Sequence, residues 1–443
     1  LASMRGVVDD LRELGALSVM CVAASRGVGD APDEEFAPGP IVLGVSGQDM
    51  MSRVRAALVA LADLPDEAVA AVDAYDPARE ALVLGSLFDD GKPVAGRRKY
   101  GARPQRWQAL EDKTIIDAFW DEIGVPRSPS RVVDADDIEG LRDACRALDH
   151  GDDTVWAADN REGFHGGASF TRWVRSDAQF DATQRYFAQH ADRIRVMPFL
   201  EGIPCSIHGI VFPDDDVVVL RPCEMLVFRR DDGTFHYGRA ATFWDPPPED
   251  REAMRDLARR VGRHLSQHFD YRGAFTIDGV MTREGFRPTE LNPRLGAALG
   301  ILSRNVGFPT FLVNLAIVEG EPFDWRPREL EARLLESSDA LRSGGTSAVS
   351  ARGSARSEKV ELVMDGDGFR LCRHEEPVDV TLIAGPTASG CAIIAGFHPE
   401  RTPVGPSLGP RAAAVLQWAD AEYDLGLGTL TPAVDVRSVG SGS

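Results

Sequence analysis

Three oxygen-bearing side chains lie close together in two predicted strands in the second half of the chain. Glu290 and Asn292 are two residues apart in the segment 289–294, so both project from the same face of a strand. A turn centred on Glu284 places Asp278, in the preceding strand, directly opposite Glu290, with the two Cβ atoms about 5 Å apart. Two carboxylates at that separation repel each other unless a positive charge lies between them.

This set of donors favours a magnesium site. Carboxylate and amide oxygens are hard ligands that suit Mg²⁺, an ion that also bridges phosphate oxygens. The alternative interpretation is a solvated hairpin whose carboxylates spread apart. The close opposition of Asp278 and Glu290, and the Pro293-Arg294 pair that follows, favour the metal site.

The spacing of these residues resembles the magnesium signature of the ATP-grasp superfamily. Asp278, Glu290 and Asn292 carry the resemblance, which covers roughly residues 110–322. It implies a fold of the α/β (α+β) class, the ATP-grasp fold, with ATP and Mg²⁺ as cofactors. It also implies that the three residues are the metal ligands.

Two further segments match phosphate-binding parts of that superfamily. Lys113, one of only four lysines in the chain, lies in the segment whose lysine contacts the nucleotide phosphates. The segment 162–169 resembles the mobile glycine-rich loop that covers the phosphates. Glycine is needed there so that backbone N–H groups can approach an anion, which makes Gly163, Gly166 and Gly167 candidate binding residues.

The segment 195–202 resembles the hinge that binds the adenine edge, with Met197 and Glu201 as candidate contacts. Here the chain departs from the superfamily. The strand 154–159 has alanine where a second phosphate-binding lysine is expected, and the hinge lacks its usual acidic residues. Pro204 stands at the position of the ribose-binding glutamate, so Glu201 or a nearby arginine is left to compensate.

Two arginines are candidate catalytic residues. Arg294 directly follows the metal signature, and a guanidinium binds oxyanions in a bidentate way, so it is suited to a tetrahedral oxyanion or an acyl phosphate. Its alternative role is an ordinary ion pair. The resemblance places Arg239 where the superfamily often has a cation near the transferred phosphate. Arg221 and Arg272 are candidates for binding a substrate carboxylate, or are structural.

The resemblance implies an ATP-dependent carboxylate–amine ligase that forms an acyl phosphate and releases ADP and phosphate. The overall layout resembles the peptide ligases of natural-product biosynthesis, which implies a small carboxylate substrate and an amine acceptor such as a peptide N terminus. It leaves open whether the chain forms a homodimer. An ATP-grasp kinase, a carboxylase and a non-catalytic nucleotide-binding protein are the alternatives.

The elements that carry these residues fall into three predicted regions. Residues 5–108 alternate strand-like and helix-like segments, which predicts a small α/β domain. Residues 109–330 form the predicted ATP-grasp region. In the remainder, 331–443, the small polar residues of 342–357 predict a linker, followed by a β-rich domain with strands over 359–363, 369–373 and 378–383.

Composition excludes several other functions. The net charge of −20 argues against nucleic-acid binding, and no apolar stretch reaches the length of a membrane span. Six scattered cysteines without a CxxC spacing, and an N terminus without a signal-peptide pattern, predict a cytoplasmic protein with neither a disulfide framework nor a zinc site. His264 and His268 are four residues apart on a predicted helix, but no third ligand is evident, so the pattern predicts two exposed histidines.

Overall fold

The N-terminal region combines helices with two pairs of short parallel strands. The structure is a computed structural model and describes residues 2–47, 50–85, 91–161, 163, 166–296, 298–303, 306–353, 356–387 and 390–437. The helices of this region are α1 (Arg5–Glu13), α2 (Met50–Ala62) and α3 (Asp66–Tyr75). The paired strands are β1 (Val22–Ala23) with β2 (Ile41–Val42), and β3 (Val83–Leu84) with β4 (Lys99–Tyr100).

A four-stranded antiparallel sheet follows two short helices, α4 (Gln105–Gln108) and α5 (Ile116–Glu122). Its strands lie in the order β5-β8-β6-β7. They are β5 (Arg131–Asp134), β6 (Thr154–Ala158), β7 (Thr171–Val174) and β8 (Arg193–Pro198). Helices α6 (Ile138–Leu148) and α7 (Asp177–His190) cover one face, where Trp156, Phe180 and Phe187 are buried together.

A six-stranded antiparallel sheet forms the centre of the molecule. Its main path is β12-β11-β9-β13-β14, and β10 pairs with β9. The strands are β9 (Ile203–Val211), β10 (Val217–Val219), β11 (Cys223–Arg229), β12 (Phe235–Ala241), β13 (Gly273–Thr282) and β14 (Gly285–Asn292). The associated helices are α8 (Pro248–Phe269), α9 (Leu299–Ser303), α10 (Thr310–Glu319) and α11 (Pro327–Ala340).

Period-two patterning in β13 sorts its side chains between a core and a cleft. Phe275, Ile277 and Met281 enter the main hydrophobic core beneath α8. The residues between them, including Thr276 and Asp278, project from the opposite face. The hydrophobic face therefore fixes the strand so that the polar face is presented to the cleft.

The C-terminal region is a five-stranded antiparallel sheet covered by a helix. Its strands lie in the order β15-β19-β18-β16-β17. They are β15 (Gly345–Ser350), β16 (Glu358–Asp365), β17 (Gly368–Leu371), β18 (Val380–Thr387) and β19 (Gly390–Phe397), and the helix is α12 (Gly409–Tyr423). Among the described residues, no helix is long and apolar enough to cross a membrane.

The sequence-based prediction of a linker over 342–357 is wrong for the residues of β15. Their small side chains carry no strand-like period, but residues Gly345 to Ser350 pair along their full length with β19. Thr346 and Ala348 are buried there. The composition of residues 345–350 does not specify a strand. They form one because they pair with the edge of the sheet at β19.

A buried carboxylate joins the central sheet to the C-terminal helix. Glu224, on β11, accepts hydrogen bonds from the Ser407 hydroxyl and from the backbone N–H of Leu408, at 2.8 Å for the latter, beside the N terminus of α12. Burial raises the pKa of Glu224 to about 7 in spite of these donors. The neutral acid is thus favoured in the folded protein below that pH.

We predict that this carboxylate makes stability depend on pH. Because the pKa of Glu224 rises from 4.5 to about 7 on folding, its contribution is fully present below pH 4.5 and decreases as the pH rises to 7. The decrease is about 3 kcal/mol, since each pKa unit corresponds to about 1.4 kcal/mol. Urea unfolding of the full chain at pH 5 and pH 8 measures it.

Glu224→Gln removes the titrating group and is expected to flatten this pH dependence. Glu361→Gln, at an exposed position on β16, is the matched control and is expected to keep it. An equal pH dependence in the wild type and in Glu224→Gln would contradict the assignment.

Candidate active site

The register of β13 and β14 brings the three predicted metal ligands together. Asp278 lies directly opposite Glu290, and Thr276 lies opposite Asn292. The predicted opposition of the two carboxylates is therefore confirmed. Asn292 is buried, and the side chain of Glu290 is 22% exposed.

A β-bulge produces this register. The turn is a two-residue connection in which Thr282 pairs with Gly285, and on its own it would place Asp278 opposite Thr289. Thr289 is an extra, unpaired residue in β14. Gly279 therefore pairs with Pro288, and the next residue of β13, Asp278, pairs with Glu290. A shift of one residue exchanges the two faces of a strand, so the bulge turns Glu290 and Asn292 toward Asp278. The Thr289 hydroxyl donates to the Asp278 carbonyl at 3.2 Å and holds the bulge in place.

Neighbouring donors surround the two carboxylates. Ser206, opposite Asp278 on β9, donates to Asp278 Oδ1 at 2.5 Å, and the amide of Asn292 donates to Oδ2 at 2.9 Å. Lys113 Nζ lies 2.9 Å from Glu290 Oε1. Burial, and then the charge of Glu290, raise the pKa of Asp278 to about 6, although Ser206 and Lys113 act in the opposite direction.

These residues fit a magnesium ion. Asp278 and Glu290 supply two hard carboxylates in a buried setting where two negative charges are costly without a cation. The oxygen of Asn292 is turned toward Arg294 at 2.8 Å, so the amide must rotate before this oxygen can serve as a third ligand.

Asp278, Glu290 and Asn292 form a row of polar side chains, and Arg294 connects this row to the segment that carries Lys113. Its Nε lies 3.4 Å from Glu111, and its guanidinium donates to Asn292. Arg103 binds the other oxygen of Glu111 at 2.6 Å. Burial opposes ionisation of Glu111, but Arg294 and Arg103 outweigh it and lower its pKa. Lys113 thus contacts Glu290 directly, whereas Glu111 is linked to Asn292 through Arg294.

Arg239 lies in a second β-bulge, on β12. The register with β11 shifts between Met225 and Val227, and Arg239 has a φ of +128° that L residues rarely adopt. Its neighbour Tyr237 has its pKa raised by burial and by Asp278, while Arg239 and Arg294 act in the opposite direction. Tyr237 therefore lies within electrostatic reach of both predicted catalytic arginines and of Asp278.

An apolar cleft between the two sheets runs up to Lys113 and Glu290. The four-stranded sheet and the following hinge contribute the predicted contact Met197 and several other apolar residues, namely Val155, Ala157, Pro198, Phe199 and Leu200. The six-stranded sheet contributes Pro204, Val227 and Val280. A flat apolar ring such as a purine base matches this lining.

The predicted contact Glu201 is bound by a protein cation rather than turned into the cleft. Its carboxylate pairs with Arg229, with one N–O distance of 3.0 Å, and it is Arg229 that lines the cleft. Arg229 also lies over the ring of Phe199, which stacks on Trp173 at 4.3 Å. Glu201 therefore orients a residue of the cleft wall.

The glycine-rich loop is described in part, since residues 162, 164 and 165 lie outside the described residues. Gly163 has a φ of +93° and Gly167 a φ of +63°, so both use conformations that favour glycine. The carbonyl of Gly166 accepts the Ser169 hydroxyl at 2.9 Å, and Ala168 lines the cleft.

Arg195 is a cleft residue that sequence reasoning did not identify. It lies on β8 directly opposite Ala157, the cleft-facing alanine of the strand expected to carry a second lysine. Its guanidinium forms a two-point contact with Asp117 and donates to the carbonyl of Thr289 at 3.0 Å. Arg195 could have been identified only from the pairing of β6 with β8, because this pairing places it opposite Ala157. A single sequence does not specify which strands pair.

Arg221 and Arg272, the two candidates for binding a substrate carboxylate, contact other groups of the protein. Arg221 is buried and pairs with Asp245 at 2.9 Å and with Asp339. Arg272 donates from Nε to the carbonyl of Val318 at 2.9 Å. Their contacts favour the structural interpretation of both residues.

Solved structures similar to this chain share its architecture. A Campylobacter jejuni biotin carboxylase in a β,γ-ATP complex matches with a TM-score of 0.55 at 13% identity, covering 97% of this chain and 90% of that chain. The Hydrogenobacter thermophilus 2-oxoglutarate carboxylase biotin carboxylase domain dimer, in complex with MgADP, ADP and bicarbonate, gives 0.52 at 12%, covering 97% and 88%. The ADP complex of PurK, an N5-carboxyaminoimidazole ribonucleotide synthetase, gives 0.51 at 10%, covering 94% of each chain.

The chain has the ATP-grasp fold. No protein-family model matches the sequence, and no curated protein matches it significantly. Identities of this size establish the fold alone, so the roles of the candidate site residues remain predictions.

We expect Lys113→Ala to weaken ATP binding by at least about tenfold, because it removes the buried ammonium that lies beside Glu290 at the end of the cleft. Lys359→Ala, at an exposed position on β16, and Lys92→Ala are the controls and are expected to bind ATP as the wild type does. Isothermal titration with ATP and Mg²⁺ measures the three affinities. Equal affinities would show that the segment of Lys113 does not contact the phosphates.

Arg195 can be tested by moving the positive charge between strands. Arg195→Met is expected to weaken ATP binding at least about tenfold, or about 1.4 kcal/mol. The double variant Ala157→Lys/Arg195→Met is expected to recover part of that affinity, because the two positions are directly opposed across β6 and β8. Unchanged affinity in Arg195→Met, with the fold retained by circular dichroism, would leave Arg195 a purely structural role.

Proposed function

We propose that this protein is an ATP-dependent carboxylate–amine ligase that forms an amide bond through an acyl phosphate. The observation that carries the proposal is the row of Asp278, Glu290 and Asn292, which lies between Lys113 and Arg294 at the end of an apolar cleft. Such an arrangement provides a base-binding surface, a metal site and cations for phosphate and oxyanion groups in that order.

In this proposal each part of ATP has a place in the cleft. The adenine would lie among Met197, Val155 and Val280, and the phosphates would extend toward Lys113 and Arg195. Mg²⁺ held by Asp278, Glu290 and Asn292 would supply charge neutralisation at the β- and γ-phosphates. The similar solved structures that contain ADP, and in one case MgADP, support this choice of nucleotide and ion.

The reaction then follows from which phosphorus is attacked. A carboxylate oxygen of the substrate attacks the γ-phosphorus, the bond to the β,γ-bridging oxygen breaks, and ADP leaves. The amine of the second substrate attacks the acyl carbon, loses a proton, and displaces phosphate. Arg294 stabilises the oxyanion or the acyl phosphate, because it lies next to Asn292 and its charge is permanent.

Other groups protect and position the reactive centre. Arg239, held by its bulge near Tyr237, adds a second cation on the β12 side. The loop of Gly163, Gly166 and Gly167 would cover the phosphates and exclude water, which would otherwise hydrolyse the acyl phosphate.

The finer proposal concerns the substrates. The layout of an α/β N-terminal region, the ATP-grasp fold and a β-rich C-terminal region resembles the peptide ligase of pheganomycin biosynthesis, which joins a guanidino-containing phenylglycine carboxylate to the N terminus of a peptide. We therefore propose a small amino-acid-type carboxylate and a peptide amine as substrates in the biosynthesis of a peptide antibiotic, with the reaction in the cytoplasm. This part of the proposal is supported by layout alone.

Carboxylation is the second candidate, because the similar structures include biotin carboxylases and one of them contains bicarbonate. Bicarbonate would then take the place of the substrate carboxylate at the γ-phosphate, and a carboxylated product would form. Dependence of ADP release on bicarbonate distinguishes this candidate from the ligase.

We predict that hydroxylamine can replace the peptide amine, since an acyl phosphate reacts with any small amine nucleophile that reaches it. A screen of amino-acid carboxylates with ATP, Mg²⁺ and hydroxylamine should give a hydroxamate, together with ADP and phosphate in equal amounts. Glu290→Gln and Asp278→Asn retain side-chain size but remove a charge, and each should lower turnover at least about 100-fold.

AMP as the stoichiometric product, or a stable phosphoester, would contradict the acyl-phosphate mechanism. Near-normal turnover in both variants would overturn the metal row. ATP binding without turnover under any pair of co-substrates would indicate a non-catalytic nucleotide-binding protein.

A further inference from the structure

Two histidines and a glutamate, residue types that can bind a metal ion, meet on the outer side of the central sheet, away from the cleft. His264 and His268 lie one turn apart on α8, and Glu122 is the last residue of α5. One ligand atom from each of the three lies within 4.8 Å of the others, and His264 Nε2 is 3.7 Å from Glu122 Oε2. We refer to these three residues as the α5–α8 cluster.

His268 makes a hydrogen bond that metal-ligating histidines often make. Nδ1 of His268 lies 3.2 Å from the carbonyl of His264 and must donate to it, which leaves the lone pair of Nε2 free for a ligand. A ligating histidine typically donates its other ring nitrogen to a carbonyl or carboxylate in this way. The two rings stack with their centroids 4.0 Å apart, so they face the same side of the helix.

His264 supplies a second, independent observation. Its side chain is 9% exposed, and its buried Nε2 has no hydrogen-bond partner among the described residues. Phe119 packs edge-on against the ring at 5.1 Å and fixes its direction. Burying a polar nitrogen without a partner is unfavourable, and this nitrogen is the one directed at Glu122. The prediction of two exposed histidines is therefore wrong for His264.

We propose that the α5–α8 cluster binds a divalent transition-metal ion of the Zn²⁺ class. Two imidazoles and one carboxylate suit zinc better than magnesium, which prefers oxygen ligands throughout. Zinc holds such ligands at about 2.0–2.2 Å, so the donor atoms must move closer together. Glu122 and His268 are exposed and can do so by side-chain rotation, whereas His264 is already fixed.

The ion would connect α8 to the segment that carries Lys113. Helix α5 starts at Ile116, three residues after Lys113, and ends at Glu122. The contacts of this end of α5 with α8 include the packing of Phe119 on His264 and a hydrogen bond of 3.4 Å from Arg260 to the carbonyl of Ile123. A bound metal would stabilise the folded chain, because it binds the native state and not the unfolded one.

The test is a Zn²⁺ titration of the full chain after treatment with a chelator. Excess MgCl₂ is kept present so that the hard-ligand row at Asp278 is occupied. His268→Ala and Glu122→Gln remove exposed ligands with little risk to folding. His374→Ala, whose side chain is 92% exposed and distant in sequence from α5 and α8, is the matched control. Asp278→Asn removes a carboxylate of the proposed magnesium site, so it distinguishes Zn²⁺ binding at the α5–α8 cluster from binding at that site.

We expect one Zn²⁺ per chain in the wild type, in His374→Ala and in Asp278→Asn, with a rise in Tm on addition of Zn²⁺. In His268→Ala and Glu122→Gln the affinity should fall at least about tenfold, and the rise in Tm should be lost. Co²⁺ in place of Zn²⁺ should give the visible absorption of a bound ion in the wild type. The two variants His268→Ala and Glu122→Gln should lack this absorption. Absence of stoichiometric binding, or equal binding in all variants, would overturn the proposal.

Discussion

The repulsion between Asp278 and Glu290 is the constraint around which the centre of this molecule is arranged. Two carboxylates directly opposed across an antiparallel pair are stable only when donors and cations surround them. Ser206 and the amide of Asn292 bind one of them, and Lys113 binds the other. Each of these partners comes from a different segment, so the charge pair ties β9, β14 and the segment before α5 to one point.

A bulge rather than an ideal hairpin creates that charge pair. With a two-residue turn and no extra residue, Glu290 would share a face with the apolar core beneath α8. The additional residue Thr289 is held from both sides, through its hydroxyl on Asp278 and through its carbonyl on Arg195. Arg195 therefore has two contributions in the structure: it secures the bulge, and it places a guanidinium opposite Ala157 in the cleft wall.

The C-terminal sheet also contributes to the arrangement of the cleft. His236 and Gly238 on β12 contact β15 through Ser347, at 3.0 Å for His236 Nε2 and the Ser347 carbonyl. These contacts lie just before Arg239, in the strand whose bulge gives Arg239 its unusual φ. A conformation that costs about 1–3 kcal/mol persists only where the surroundings impose it. Glu224 also binds the N terminus of α12 to β11, the neighbour of β12. The C-terminal region therefore packs against β11 and β12 and stabilises them.

Local sequence patterns determined the parts of this protein that depend on neighbours along the chain. The alternation in β13 and β14 and the opposition of Asp278 and Glu290 lie within one hairpin, and the sequence predicted both. The bulge at Thr289 that produces this register was not predicted. Short motifs also predicted phosphate-binding roles for Lys113 and the glycine-rich loop, and these roles remain predictions. The tertiary structure decided what depends on pairing between distant segments. Arg195 faces the cleft because β8 pairs with β6, β15 is a strand because β19 offers an edge, and Glu122 completes the α5–α8 cluster because α5 packs on α8 across more than 140 residues of chain. Strand order and helix packing are set by the burial of whole hydrophobic faces, a property of the folded chain that no single motif contains.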